Sequence, residues 1–306
     1  MEPLRELSQL ILQYRDTSPL ATSQRELLGL HFSATRTAPK PIHRIYEPVF
    51  SLVVQGEKQV VVGDKMFTCS AGQFLVVSAD LPITIRISIA TTKQPYVVMG
   101  MKLDAAKVAA LLLETAAADG LPVEAAAMGL SEAPHELLEA LVRLIRLLDH
   151  PRDLPVLAPF LEREILWRLL CSEQGHRVRQ IGLADSRLSQ IGRAMRWMRD
   201  NYSESVRIEN LARLSGMSVT SFHRQFRAVA LMSPLQYLKN VRLHEARALL
   251  LAGGQDVAAV GHAVGYDSPS QFSREYRRAY GSPPGQDARL LRASNGTPAK
   301  ATTTMR

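Results

Sequence analysis

One short helix is written twice in this chain. Ser218–Arg227 reads SVTSFHRQFR, and Ser268–Arg277 reads SPSQFSREYR. The strings share Ser, Phe and two Arg in register, and they pair Phe226 with Tyr276 and Gln225 with Glu275. Aromatics four positions apart fall on one face of a helix and mark that face as buried. Upstream of the first copy, Ile208, Leu211, Ala212 and Leu214 have the spacing of a short amphipathic helix. Val257, Val260, Gly261 and Val264 repeat that spacing before the second. Gly216 and Gly265 supply the permissive backbone that a tight turn needs. Ser218 and Ser268 are natural N-caps, and Pro269 takes the first helical position, which tolerates it. Helix, Gly turn and second helix make a helix-turn-helix. Two copies are too few for a solenoid.

With the aromatics turned inward, the opposite faces follow. Thr220, His223, Arg224 and Arg227 point outward in the first copy; Ser270, Ser273, Arg274 and Arg277 do so in the second. These side-chain types suit base edges and phosphates, because Arg binds guanine in a bidentate manner and hydroxyls reach phosphate oxygens. The alternative is a set of solvated positions on packed helices. Arg224 and Arg274, at equivalent places, read as base contacts; Arg227, Arg277 and Arg278 read as phosphate contacts. Between the copies, the apolar spacing from Leu235 to Leu250 predicts a helix over about 234–251. Such a rod would be roughly 27 Å long, comparable with the distance between successive major grooves.

The charge is placed accordingly. The chain of 306 residues carries a net charge of +8. Residues 1–188 hold 20 basic and 21 acidic side chains, whereas residues 189–306 hold 17 and 8. Excess positive charge confined to one end is the footprint of a polyanion binder, or else a solvated basic face.

The N-terminal part has a different texture. Leu4, Leu7, Leu10, Ile11 and Tyr14 predict an opening helix. From about 42 to 101, FSLVVQG, EKQVVVGDKMF, GQFLVVSAD, PITIRISIA and PYVVMGMKL read as short strands of a small barrel or sandwich. Helices are expected at about 104–118, 135–149 and 156–174. The middle one carries a stripe of Leu137, Leu138, Leu141, Leu144, Ile145 and Leu148 that packs on the barrel or meets its copy in a dimer. Residues 175–188 read as a polar linker and 293–306 as a disordered tail.

The text SPLQYLKNVRLHEARALLL followed by VGYDSPSQFSREYRRAYGSPP resembles the DNA-binding domain of the AraC/XylS family of bacterial transcription regulators. IYEPVFSLVVQGEKQVVVGD and QFLVVSADLPI resemble, less specifically, the sensor domain of a subgroup of that family. The resemblance implies an α+β chain: a cupin-like β-barrel with helices over 1–185, then an all-α double helix-turn-helix domain over 186–292. It implies double-stranded promoter DNA, RNA polymerase, a small-molecule effector and a second copy of the chain as partners, with activation as the mode of action. Family base-contacting positions fall on Thr220, His223, Arg224, Ser270, Ser273 and Arg274. Pro269 stands where some relatives carry a polar contact, which leaves the second helix fewer base contacts.

Other chemistries fit less well. A cupin-type metal enzyme needs converging His and carboxylate ligands, and His43 is the one histidine between 42 and 101. No nucleophile elbow, dinucleotide fingerprint or P-loop occurs, so neither metal nor cofactor is expected. A protein-binding adaptor would explain the duplication but not the placement of charge. Tyr46, Phe50, Phe67, Cys69, Phe74 and Asp80 are the effector-site candidates; each has a plainer reading in core packing or turn capping. Two distant cysteines, no apolar run long enough to span a membrane and no secretory leader predict a cytoplasmic protein.

Overall fold

The computed structural model describes residues 2–15, 28–115, 126–183, 186–253 and 256–295. The chain divides into two units, Met1–Arg196 with Ile208–Pro234, and Trp197–Arg207 with Leu235–Arg306. Among the described residues, no helix is long and apolar enough to cross a membrane.

In the first unit the expected strands form, and of the barrel or sandwich expected they make two antiparallel sheets, a sandwich rather than a closed barrel. One sheet runs in the order β1 (Leu30–Thr35), β8 (Tyr96–Lys102), β3 (Val49–Gln55), β6 (Gln73–Val77) and β9 (Met128–Glu132). The other runs β2 (Ile42–Tyr46), β7 (Leu81–Ile89), β4 (Glu57–Val62) and β5 (Lys65–Ser70). Strands β1 and β9 lie outside the predicted 42–101 span. Both are edge strands without a clean apolar alternation: β9 buries the consecutive Met128 and Gly129 together with Ser131, and β1 buries Leu30 alone.

Side-chain alternation divides β3 between two layers. Phe50, Leu52 and Val54 join α1 (Glu2–Arg15) and the helices that follow in one continuous core, while Ser51 faces the sandwich interior. The leucine stripe of α3 (His135–Arg146) enters the same core: Leu137, Leu141, Leu144 and Ile145 are fully buried. Burial of each such side chain contributes about 1.5–3 kcal/mol. The stripe is therefore internal to the unit. It is α4 (Leu154–Cys171) that leaves Val156, Leu157 and Phe160 exposed.

The predicted linker over 175–188 is helical for most of its length, with α5 at Gly175–Gly182 and the start of the next helix at Arg187. Its polar residues read as linker text because they pair with backbone. Gln174 donates to the Leu130 carbonyl at 3.0 Å and Arg177 to the Ala126 carbonyl at 2.9 Å, which fastens the helix start to β9. Gly182 lets α5 approach α2 (Ala105–Thr115), since a methyl there would lie 2.8 Å from the Ala109 nitrogen.

Then come α6 (Arg187–Asp200), α7 (Ile208–Leu214), α8 (Val219–Ala230), α9 (Pro234–Ala252), α10 (Val257–Ala263), α11 (Pro269–Tyr280) and α12 (Pro284–Asn295). The last helix continues past 292 into the predicted tail; 296–306 lie outside the described residues. The second unit is built around Leu243, Ala246, Leu250, Val260, Phe272 and Tyr276.

Candidate nucleic-acid interface and sensor cavity

The two helix-turn-helix copies are built by the same local rules. Gly216 and Gly265 adopt φ of +66° and +86°. Each turn closes with a bond back to the preceding helix, Met217 N–H to the Ala212 carbonyl at 2.9 Å and Tyr266 N–H to the Gly261 carbonyl at 3.0 Å. Ser218 and Ser268 accept from the Ser221 and Gln271 amides, both at 3.3 Å, and so cap α8 and α11. Phe222 stacks near Phe226 with centroids 5.5 Å apart, and Phe272 near Tyr276 at 5.7 Å; all four are fully buried. Gly261 is smaller than its counterpart Ala212 because a methyl there would press on the Phe272 ring at 3.0 Å.

The faces opposite those aromatics are open. Thr220, His223, Arg224 and Arg227 on α8 are exposed, as are Ser270, Arg274, Arg277 and Arg278 on α11; Ser273 is half-buried. Among the described residues, no carboxylate is ion-paired with these arginines. Each exposed guanidinium thus keeps its fork of donors available.

The copies differ in how they are braced. In the second, Tyr266 and Lys239 both engage the Glu275 carboxylate, at 2.8 and 3.1 Å. Burial works against that carboxylate's charge, but these hydrogen bonds outweigh it and its pKa falls. Deeper, Asp287 accepts from Tyr276 Oη at 2.9 Å and from Arg247 Nε at 2.9 Å, while the Arg247 guanidinium lies 4.6 Å from the Tyr280 ring centroid. Sequence reading missed this buried hub, because an acid in the first turn of α12 has a sufficient local reason in the helix dipole.

The first copy is braced by the β-sandwich of its own unit. The Val229 carbonyl, which the end of α8 leaves unpaired, accepts from the Ala127 amide at 3.0 Å. Leu231, which closes α8, takes the left-handed conformation with φ +59°, where the second copy has Gly281. It lies against Gly63, the first residue of the two-residue β4–β5 turn: a methyl on Gly63 would stand 2.1 Å from the Leu231 carbonyl oxygen. Gly63→Ala is accordingly expected to loosen this attachment, at a cost on the order of 1–3 kcal/mol. Hydrogen exchange would show it as faster amide exchange over 226–232, with 269–281 unchanged.

Inside the sandwich, a cavity of about 380 Å³ opens between edge strands β1 and β2, with Arg44, Tyr46, Val49, Ser51, Val98 and Gly100 in its wall. Of the effector candidates, Tyr46 lines it. Phe50 and Phe74 lie on the other side of their sheet, packed on each other at 5.4 Å, because strand alternation turns them toward the helices. Asp80 is buried just before β7, and Phe67 is half-buried on β5. Cys69 is wholly buried, and burial pushes its thiol up to about 11, so it is not an activated thiolate. A second, more apolar cavity of about 510 Å³ lies between α2 and α4, bordered by the ion pairs Lys107–Glu162 and Arg163–Glu114. Among the described residues, no group of three His, Cys, Asp or Glu side chains converges as a metal site would.

Residues 26–177 match the family model described as AraC-type transcriptional regulator N-terminus, and 211–289 match a helix-turn-helix domain model. The HTH-type transcriptional activator RhaS of Pectobacterium carotovorum is 33% identical over 88 residues, covering 29% of this chain and 32% of the relative. The virulence regulon transcriptional activator VirF of Yersinia enterocolitica is 30% identical over 161 residues, 51% of this chain and 57% of that one. The chain thus spans about a third to three-fifths of the length of these curated relatives. ToxT from Vibrio cholerae shares the fold, with a TM-score of 0.56 at 10% identity over 86% of this chain and 98% of that one. With an AraC-type N-terminal domain followed in the same chain by a duplicated helix-turn-helix, this protein belongs to the AraC/XylS family of transcription regulators.

Proposed function

We propose that the chain is a sequence-specific DNA-binding regulator, an activator that recruits RNA polymerase at promoters in the cytoplasm and answers to a small-molecule effector. The observation that carries this reading is the duplicated, Ser-capped helix whose buried aromatic pair leaves arginines free of carboxylate partners on the outer face. In this reading α8 and α11 enter successive major grooves. Arg224 and Arg274, with Thr220, His223, Ser270 and Ser273, read bases; Arg227, Arg277 and Arg278 hold phosphates. Residues 186–292 do the binding and 1–185 the sensing. The relatives named as activators support the mode of action, and the bound fatty acid named for one ToxT structure supports an effector. The exposed Val156, Leu157 and Phe160 on α4 support a homodimer formed there.

A gel shift of the full chain on its own upstream DNA tests the reading. Affinity should fall steeply, by roughly a thousandfold or more, between about 50 and 200 mM salt as counterions are released. Arg224→Ala and Arg274→Ala should each cost about 1–3 kcal/mol and relax base choice at one position. Salt-independent or absent DNA binding would instead favour a protein-binding adaptor. Unchanged affinity and specificity in both variants would remove the base-contact assignment.

A further inference from the structure

Lys58 stands on β4 in phase with Val60 and Val62, both fully buried, and only 1% of it is exposed. Its Nζ crosses the sandwich to donate to Ser51 Oγ at 2.9 Å. Among the described residues, no carboxylate offsets its charge. Its cross-strand neighbour is Cys69, which is uncharged at neutral pH. An ammonium withdrawn from water without a counter-ion is a costly arrangement. Burial accordingly pushes the Lys58 amine down to about 8.

Ser51 is common to the amine and the 380 Å³ cavity, since it bonds Lys58 and forms part of the cavity wall; Tyr46, also in the wall, hydrogen-bonds Ser51. Beyond these hydroxyls Val49 and Val98 give the wall an apolar stretch, while His31 and Ser33 of β1 line its other side and Arg44 is exposed. Gly100 leaves the space open. A methyl there would make only ordinary contacts, the nearest at 3.6 Å, so the missing side chain answers no crowding in the fold.

We propose that this cavity binds a small organic monocarboxylate, its head group on the Ser51 and Tyr46 hydroxyls with Lys58 as the counter-charge behind them, and its apolar body along Val49 and Val98. The proposal rests on the reading of the sandwich as an effector-responsive domain and names the class of effector. A single buried ammonium behind the two hydroxyls balances one negative charge, and Val49 and Val98 beside them suit an apolar body, which a phosphate lacks. The cavity between α2 and α4 lacks this signature, because Lys107 there is already paired with Glu162.

Isothermal titration of the full chain with benzoate and octanoate, against benzamide and octanamide, tests the proposal. One acid should bind saturably and at least tenfold tighter than its amide, and Lys58→Met should weaken that acid at least tenfold. Titration at pH 8 in buffers of different ionisation enthalpy should show proton uptake on binding, absent in Lys58→Met. Tyr46, Cys69 and Tyr96 are all pushed upward by burial and stay neutral there, and Glu57 is turned to the Ser70 hydroxyl. His31 and Arg44 also line the cavity, and the comparison with Lys58→Met separates any proton they exchange from that of the lysine. If Lys58→Met does not fold, Ser51→Ala carries the same comparison. Equal binding of acid and amide, wild-type affinity in Lys58→Met, binding abolished by Ala158→Leu in the other cavity, or no binding by either acid would each overturn the site. A wild-type gel shift separates the two failures: DNA binding without acid binding removes this site alone, and no DNA binding removes the regulator.

Discussion

Replacing Asp287 with alanine is expected to destabilise the second helix-turn-helix by about 3–5 kcal/mol, enough to unfold a marginal unit. Asp287 is 5% exposed and holds three elements at once: its own α12, Arg247 on α9 and Tyr276 on the recognition helix α11. Its removal leaves the Arg247 guanidinium, itself only 16% exposed, without a counter-ion in the interior. Tyr276→Phe removes one hydrogen bond of the same hub and should cost about 1 kcal/mol. Urea unfolding followed by hydrogen exchange over α9 to α12, with α8 as the internal reference, gives the measurement. Wild-type protection of α11 in Asp287→Ala would show that the hub is dispensable.

Lys58→Met is expected to act in the opposite direction and raise stability at pH 7 by on the order of 3 kcal/mol. The sign follows from the proton count. In the unfolded chain Lys58 ionises near 10.5, and in the folded chain near 8. Between those values the unfolded state binds more protons, so wild-type stability rises with pH through that window; below about 8 the full penalty is present. Methionine keeps the apolar stem and carries no charge, so the advantage of the variant should shrink as pH rises from 8 to 10.5. Cys69 works the other way between 9 and about 11, because its folded thiol holds its proton longer. The difference between wild type and variant is therefore the informative quantity. Thermal melts at pH 7 and 9.5 provide it, and a variant no more stable than wild type at pH 7 would show that the ammonium is compensated.

Much of this was legible in the sequence where a residue's local and tertiary roles coincide. Ser218 and Ser268 cap, Gly216 and Gly265 turn, and Phe222, Phe226, Phe272 and Tyr276 bury themselves, each for a reason contained in its neighbours. The fold was less legible where one strand serves two layers. Phe50 and Phe74 could be read as pocket aromatics or, more plainly, as core; strand alternation places them in the core on the helix side. Lys58 left a usable sign, a lysine in phase with two apolar valines in EKQVVV, but a charged residue at the start of a strand passes easily for a solvated one. Asp287 left no distinct sign, because its partners come from about forty and eleven positions away. The bond between Ala127 and Val229 joins two backbones, and backbone carries no sequence signal.

Leu231 keeps a backbone conformation that costs an ordinary residue roughly 1 kcal/mol or more, while Gly281 makes the same bend without strain. The costly version sits in the copy whose helix end is stitched to the β-sandwich, and the free version in the copy that ties itself together internally. The two modules are interchangeable in outline but not in wiring. Exchanging the outer faces of α8 and α11 would move the exposed arginines and hydroxyls from one copy to the other, and would leave the tether to the β-sandwich where it is.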